Sequence, residues 1–307
     1  MSILNELGKK MLFFDGGLGT MLQAKGSSPG EITELWNITR PDDVCDVHCQ
    51  YLMAGADVIT ANTFGASDLK LSGSGYTSDE VISAGIGLVK EAINRVCGEG
   101  SQRKAYAAMD ISSTGKLLKP IGTMEFDEAY NIFKDMALSG EKAGADLAII
   151  ETMSDTYELK AAVLAVKENT SLPLFVTVTF DEKGKLLTGA DVGAVVTLLE
   201  GLGADVIGIN CGLGPVQMRP LVQQMLEMTN LPVLVNPNAG LPRQEDGKTF
   251  YDITPEQFAE QMELMAGDGI WLMGGCCGTT PEYIRLIKER CGDITPKPIE
   301  KKHFTRI

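Results

Sequence analysis

The sequence predicts a single-domain α/β protein, a closed (β/α)8 barrel of the TIM type. Three observations carry that expectation. Eight short apolar runs, rich in β-branched residues and bounded by Gly, Pro, Asp or Asn, recur from end to end. Amphipathic stretches of helical period lie between them. One junction also repeats: Ala54-Gly-Ala-Asp57, Ala143-Gly-Ala-Asp146 and Leu202-Gly-Ala-Asp205 each close a helical stretch and lead straight into an apolar run. Strict β-α alternation makes parallel strands, which form either an open doubly wound sheet or a closed barrel. Eight strands with no break in composition favour the barrel.

The elements follow in order. Met11–Phe14 is the first strand, and the stretch holding Cys45–Cys49 is helical. Val58–Ala61 follows the first repeated junction, where glycine takes the left-handed turn that ends a helix and aspartate opens the strand. Ile82, Ile86, Val89, Ile93 and Val96 are spaced 4-3-4-3 and share one helix face. Ala105–Ile111 is the third strand, with Ile132, Phe133, Met136, Ala137 and Gly140 marking the next helix. Leu147–Ile150 is the fourth, before a helix carrying Leu159, Ala162, Val163 and Val166. Leu174–Phe180, Val206–Ile209, Val233–Val235 and Ile270–Met273 complete the set. Met218, Met225, Met228, Met262 and Met265 stand at helical spacing and read as core filler. Thr254-Pro-Glu-Gln257 and Thr279-Thr-Pro-Glu282 are helix starts of capping-box spacing with proline in the first turn. The barrel is expected over residues 1–292, and the Pro/Lys-rich segment 293–307 is a tail.

Composition narrows the function. Of 307 residues, 44% are apolar and 22% charged, enough to bury a full core. Twenty-seven basic against 41 acidic residues give a net charge of −14, which repels phosphate backbones and argues against nucleic acid. No apolar run approaches the roughly 18 residues of a membrane span. The first ten residues lack a signal-peptide core, and seven cysteines make an odd number, so reduced thiols and a cytoplasmic setting are expected.

A barrel gathers its chemistry where the strands end. The residues there are Asp15-Gly-Gly-Leu-Gly-Thr20, Asn62-Thr-Phe-Gly65, Glu151-Thr-Met153, Asn210-Cys-Gly212, Asn236-Pro-Asn-Ala-Gly240 and Gly274-Gly-Cys-Cys-Gly278. Cys211, Cys276 and Cys277 thus fall on one rim and could collect one soft metal. Three thiolates leave a tetrahedral Zn²⁺ one open position, the pattern of a catalytic site. Buried thiols acting as small hydrophobes are the plainer reading. Cys45-Asp-Val-His-Cys49 could chelate a metal too, but lies mid-helix, away from the rim, and reads as structural. Gly16-Gly-Leu-Gly19 lacks both the G-x-G-x-x-G spacing and a P-loop lysine, so it reads as a tight turn letting backbone approach a ligand.

Taken together, the strand-end motifs, with Thr60-Ala-Asn-Thr-Phe64 and Gly208-Ile-Asn-Cys-Gly212, resemble the homocysteine S-methyltransferase family. The likeness runs from residue 10 to 290 and is nearest to the homocysteine-binding module of cobalamin-dependent methionine synthase. The resemblance implies a zinc-dependent enzyme that moves a methyl group to the homocysteine thiol, giving methionine. It implies that Cys211, Cys276 and Cys277 are the catalytic zinc ligands and that Asn238 is the oxygen ligand before substrate arrives. Glu151 would take the substrate ammonium, Asp15, Gly16 and Gly17 would lie at its amino-acid end, and Thr63 and Phe64 would form a pocket wall. Ser112-Ser113 stands where such modules usually carry Gly-Pro, so a reshaped loop is expected there. The expected methyl donor is a methyl-corrinoid (methylcobalamin) on a separate protein. A self-sufficient enzyme using S-methylmethionine, S-adenosylmethionine or a betaine is the alternative. Intact Glu151 and all three cysteines argue against a barrel that has lost its chemistry. An aldolase is disfavoured because Lys160, Lys167, Lys183 and Lys185 avoid the strand ends.

Overall fold

A computed structural model describes residues 2–28, 30–98, 103–245 and 248–302. In chain order the strands are β1 (Leu12–Phe13), β2 (Val58–Thr60), β3 (Tyr106–Ile111), β4 (Leu147–Met153), β5 (Leu174–Val178) and β6 (Val206–Asn210). There follow β7 (Val233–Asn236), β8 (Pro242–Glu245), β9 (Lys248–Tyr251) and β10 (Leu272–Met273). All but β8 and β9 make one eight-stranded parallel sheet, in the order β1-β10-β7-β6-β5-β4-β3-β2. A parallel bridge from Phe14 to Val58 joins its two ends, with Asp57 N donating to Phe13 O (2.7 Å), and closes the barrel. β8 and β9 are an antiparallel hairpin inserted on the way to β10.

The helices are α1 (Leu18–Ala24), α2 (Trp36–Thr39), α3 (Pro41–Ala54), α4 (Ser78–Cys97), α5 (Phe126–Ala143), α6 (Thr156–Asn169), α7 (Val192–Gly201), α8 (Pro215–Met228), α9 (Pro255–Asp268) and α10 (Pro281–Cys291). Their inner faces are the ones the periodicity marks. Ile82, Ile86 and Val89 of α4, Phe133, Met136 and Ala137 of α5, and Leu159, Ala162, Val163 and Val166 of α6 are buried between helix ring and sheet. Met218, Met225, Met262 and Met265 fill the same layer, whereas Met228 is only partly buried.

The repeated junction has a double role. Gly55, Gly144 and Gly203 take φ of +109°, +82° and +77°, the left-handed turn out of a helix. The aspartate two residues on then reaches the neighbouring strand. Asp57 accepts from Phe13 N (3.1 Å), Asp146 from Ala107 N (2.8 Å) and Asp205 from Leu174 N (2.8 Å). A strand that has only just begun thereby gains an acceptor for an otherwise open amide.

Inside the barrel Leu12, Phe14, Val58, Ala108, Ile149, Phe175, Val206, Leu234 and Leu272 form an apolar plug, closed from below by Ile3. Side chains alternate along a strand, so residues two further on point inward again. Those positions are Thr60, Asp110, Glu151, Thr177 and Asn236. One layer up, the interior turns polar, and this layer is the floor of the site.

Three details depart from expectation. The hairpin and α1 carry no helical or alternating signal long enough to foresee. β4 continues past Ile150 to Met153. The second capping-box site is not a cap: Thr280 is the N-cap of α10 with no side-chain bond, and Thr279 is engaged elsewhere. At Thr254 the reciprocal capping box forms as expected. Residues 293–302 lie across the N-terminal face, where Trp271 Nε1 donates to Lys297 O (2.8 Å). Residues 303–307, including His303, fall outside the described residues.

Candidate active site

Cys211 leaves β6, and Cys276 and Cys277 lie in the loop after β10. Their sulfurs all stand within 4.8 Å of one another, with Cys211 Sγ and Cys277 Sγ 3.8 Å apart. Four-coordinate zinc with metal–sulfur bonds of about 2.3 Å spaces its sulfurs by about 3.8 Å. The trio therefore fits such an ion. Among the described residues no other group of three His, Cys, Asp or Glu converges in this way.

The backbone enforces the arrangement. Cys211 sits at φ +54°, a left-handed conformation rare for a side-chain-bearing residue, and its N–H donates to Asn236 O (3.0 Å). Cys276 N donates to Pro237 O (2.8 Å) and Cys277 N to Asn238 Oδ1 (3.1 Å). The flanking glycines are a steric requirement: a Cβ at Gly275 would lie 2.3 Å from Thr279 Oγ1, and one at Gly278 2.3 Å from the Tyr251 ring. Hydrogen bonds from Cys211 and Cys276 pull the Cys277 thiol down, and bonds with Cys211 and Cys277 push Cys276 up. The Tyr251 hydroxyl adds a further bond to Cys277.

Opposite the thiols lies an acidic wall. Asp110 pairs in register with Ile149, so Glu151 follows one step up the adjacent strand on the same inward side. A bulge between Ile150 and Met153 tips Glu151 into the cavity, with Thr152 at φ +58°. Asn210, fully buried, holds that bulge: its Oδ1 accepts from Thr152 N and Thr177 Oγ1 (both 2.9 Å), and its Nδ2 donates to Thr152 Oγ1 (2.7 Å). Asp15 accepts from Thr60 N (2.9 Å) and Thr60 Oγ1 (2.8 Å). Burial pushes Asp15 up to about 7 despite the Thr60 bonds, and burial plus the Asp15 charge push Glu151 up to about 8. Asp15, Asp110, Glu151, Cys211, Cys276 and Cys277 line one cavity of about 510 Å³.

Gly16, Gly17 and Phe64 also line this cavity. The Gly17 N–H is taken by Thr279, through its carbonyl (3.0 Å) and its Oγ1 (3.1 Å), and a Cβ at Gly17 would meet Cys276 O at 2.7 Å. These glycines thus bring the β1 turn close to the cysteine loop. Thr63 is not among the cavity residues. It is fully buried behind the floor, where its Oγ1 donates to Asp110 O (2.9 Å) and accepts from Asp110 N (3.0 Å). Asn238 stands beside the thiols, but its oxygen holds the Cys277 amide and would have to leave it to reach a metal. Asn236 Oδ1, by contrast, is buried without a partner.

The loop after β3 is pinned to Glu158. Ser113 Oγ donates to Glu158 Oε2 (2.7 Å), Thr114 N and Oγ1 donate to Oε1 (2.7 and 2.6 Å), and Ser112 Oγ donates to Phe64 O (2.7 Å). Cys45, His48 and Cys49 sit on α3, outside the barrel, and among the described residues they are not part of any converging group of three metal-ligating atoms. Burial pushes the Cys45 thiol up to about 12 and His48 down to about 3, as in an inert packed cluster. Asp110, Asn210, Tyr251 and Thr279 are site residues to which motif reading gives no role at the site. Asn210 lies within a strand-end motif, and Asp110 shows the inward alternation Tyr106, Ala108, Asp110 along β3.

The sequence profile described as homocysteine S-methyltransferase matches residues 12–291. Methionine synthase of Mycobacterium leprae is 32% identical over 321 aligned positions, covering 99% of this chain and 26% of that protein. Its Mycobacterium tuberculosis counterpart is 32% identical, covering 95% of this chain and 25% of that protein. The chain therefore spans about a quarter of the curated relatives it matches. In structure it is similar to the metallated form of the homocysteine methyltransferase MmuM from Escherichia coli, with a TM-score of 0.79 and 23% identity, covering 92% of this chain and 96% of that one. At that identity the likeness speaks for the fold. The profile match covers nearly the whole barrel, and the chain belongs to the homocysteine S-methyltransferase family.

Proposed function

We propose that this barrel catalyses zinc-dependent methylation of the homocysteine thiol, with a methyl-corrinoid on a separate protein as donor. One observation carries the reading: a single cavity holds a thiol trio at one end and a carboxylate wall at the other. Homocysteine has the matching polarity, a thiol at one end and an ammonium at the other.

Cys211, Cys276 and Cys277 would hold the ion, with Asn238 as the adjacent oxygen donor. Zinc, when bound, lets a substrate thiol of ordinary pKa about 8.5 exist as thiolate near neutrality. Glu151 takes the ammonium, and Asp15 with the Gly16–Gly17 turn borders the amino-acid end. The bulge held by Asn210 keeps Glu151 aimed at that end. Phe64 forms part of the cavity wall. The sulfur lone pair then forms the new S–C bond as the methyl–donor bond breaks, and methionine leaves as a neutral thioether. No side chain is required as base at the sulfur. The match to two methionine synthases, over nearly all of this chain and about a quarter of theirs, is compatible with a corrinoid donor. Reduced thiols fit a cytoplasmic setting, and no helix among the described residues is long and apolar enough to cross a membrane.

Calorimetric titration tests the proposal. Zinc-loaded protein is expected to bind homocysteine, and metal-stripped protein to lose that binding and regain it with zinc. Equal binding with and without metal would refute it.

A further inference from the structure

We propose that Asp110 pairs with Glu151 to seat the ammonium of the amino-acid substrate. The inference rests on the homocysteine reading and adds a positioning residue to it.

Asp110 is 6% exposed, lines the cavity, and its Oδ1 is buried with no hydrogen-bond partner. A buried acceptor left open is costly, so a ligand donor is the natural complement. The other carboxylates nearby are already occupied. Asp15 accepts twice from Thr60, and Glu34 accepts from Gly65 N at 2.7 Å. Glu151 makes no side-chain hydrogen bond among the described residues, so it and Asp110 are the two open carboxylates of the wall. Lys70 does not close the gap: its ammonium reaches Ser112 Oγ at 3.5 Å and forms no ion pair with Asp110.

The two residues are held for this purpose. Thr63 grips both the N–H and the carbonyl of Asp110 (3.0 and 2.9 Å), and Asn210 fixes the bulge that carries Glu151. They occupy adjacent strands on the same inward side. Yet among the described residues no set of three carboxylates brings its oxygens within 4.8 Å, as a bare metal ion would require. A polyatomic cation with several donors fits better, and an alkylammonium offers three N–H groups. Burial and the neighbouring Glu151 charge hold the Asp110 carboxyl well above its usual range, as expected of a pair awaiting a cation.

The test compares homocysteine with 4-mercaptobutyrate, which keeps the thiol and carboxylate but lacks the ammonium. Both are titrated into the zinc-loaded full chain. In D110N the homocysteine Kd should rise at least about tenfold, while the 4-mercaptobutyrate Kd stays within about twofold. E151Q should show the same selective loss. D110S reports the same ratio should D110N fail to fold. Unchanged homocysteine binding in D110N, or equal loss of both ligands, overturns the pairing while leaving the functional reading intact. Wild-type protein with no preference for homocysteine over 4-mercaptobutyrate overturns both.

Discussion

Removing Asn210 should disable the ammonium end of the site without touching substrate. Asn210→Ala deletes three hydrogen bonds, a buried one accepted from Thr177 Oγ1 and two part-buried ones with Thr152, accepted from its N–H and donated to its Oγ1. Each bond contributes about 1 kcal/mol net, and a stranded Thr152 N–H adds a desolvation penalty of about 1–3 kcal/mol. Against this, Thr152 is held at φ +58°, and release of that strain returns about 1 kcal/mol. The balance is a loss of about 3–5 kcal/mol. For a chain of 307 residues, with unfolding entropy near 2.1 cal/mol/K per residue, this lowers Tm by about 5–8 °C. Differential scanning calorimetry measures the shift. Homocysteine titration of the same variant at 25 °C, where it remains folded, should show weaker binding, because the bulge no longer aims Glu151. A Tm within about 1 °C of wild type together with unchanged affinity would refute the argument that Asn210 holds the bulge.

Three further outcomes are expected. Cys211→Ser should lose most of its zinc, and Cys45→Ser and Cys49→Ser should lose none, by elemental analysis; equal zinc in wild type and the Cys276→Ser/Cys277→Ser double variant would undo the site. Glu151→Gln should retain zinc yet bind homocysteine about 2–5 kcal/mol more weakly, and a wild-type affinity would reduce Glu151 to a structural role. His48 stays neutral in the fold, its pKa held near 3 by burial, against about 6.5 unfolded. The unfolded chain therefore binds the extra proton between those values, and stability is lost as pH falls below about 6.5. His48→Leu should remove about 1.4 kcal/mol of that loss per pH unit between pH 6 and 4, read by urea denaturation; parallel slopes in both proteins would contradict it.

How much of this was legible depended on whether the signal was local. The Gly-Ala-Asp junctions announce a left-handed helix end in four residues, and the glycines at 55, 144 and 203 adopt it. That their aspartates clamp the strand next door was not visible, because the partner lies 31 to 44 residues away in sequence. The cysteine trio was readable because strand ends in a barrel share a rim. Thr279 was misread for the same reason that it is useful: a threonine before Thr-Pro-Glu looks like a cap, yet its hydroxyl accepts from Gly17, 262 residues back. Thr63 sits in the right motif but one residue from the cavity, and parity turns its side chain toward Asp110. The hairpin that brings Tyr251 to Cys277 escaped because two four-residue strands of mixed charge show no period.

The proposed reaction is methyl transfer to homocysteine at the cysteine rim. The most direct measurement is methionine formed from homocysteine by the zinc-loaded protein across a donor panel: a methylated corrinoid protein, free methylcobalamin, S-methylmethionine, S-adenosylmethionine, a betaine and methyl-folate. Methionine is expected with the methylated corrinoid protein, more slowly with free methylcobalamin, not with folate alone, and with no donor in Cys211→Ser. Good turnover with S-methylmethionine or S-adenosylmethionine and none with any methyl-corrinoid would contradict the donor assignment. No methionine from any donor, by folded and zinc-loaded protein, would contradict the claim itself.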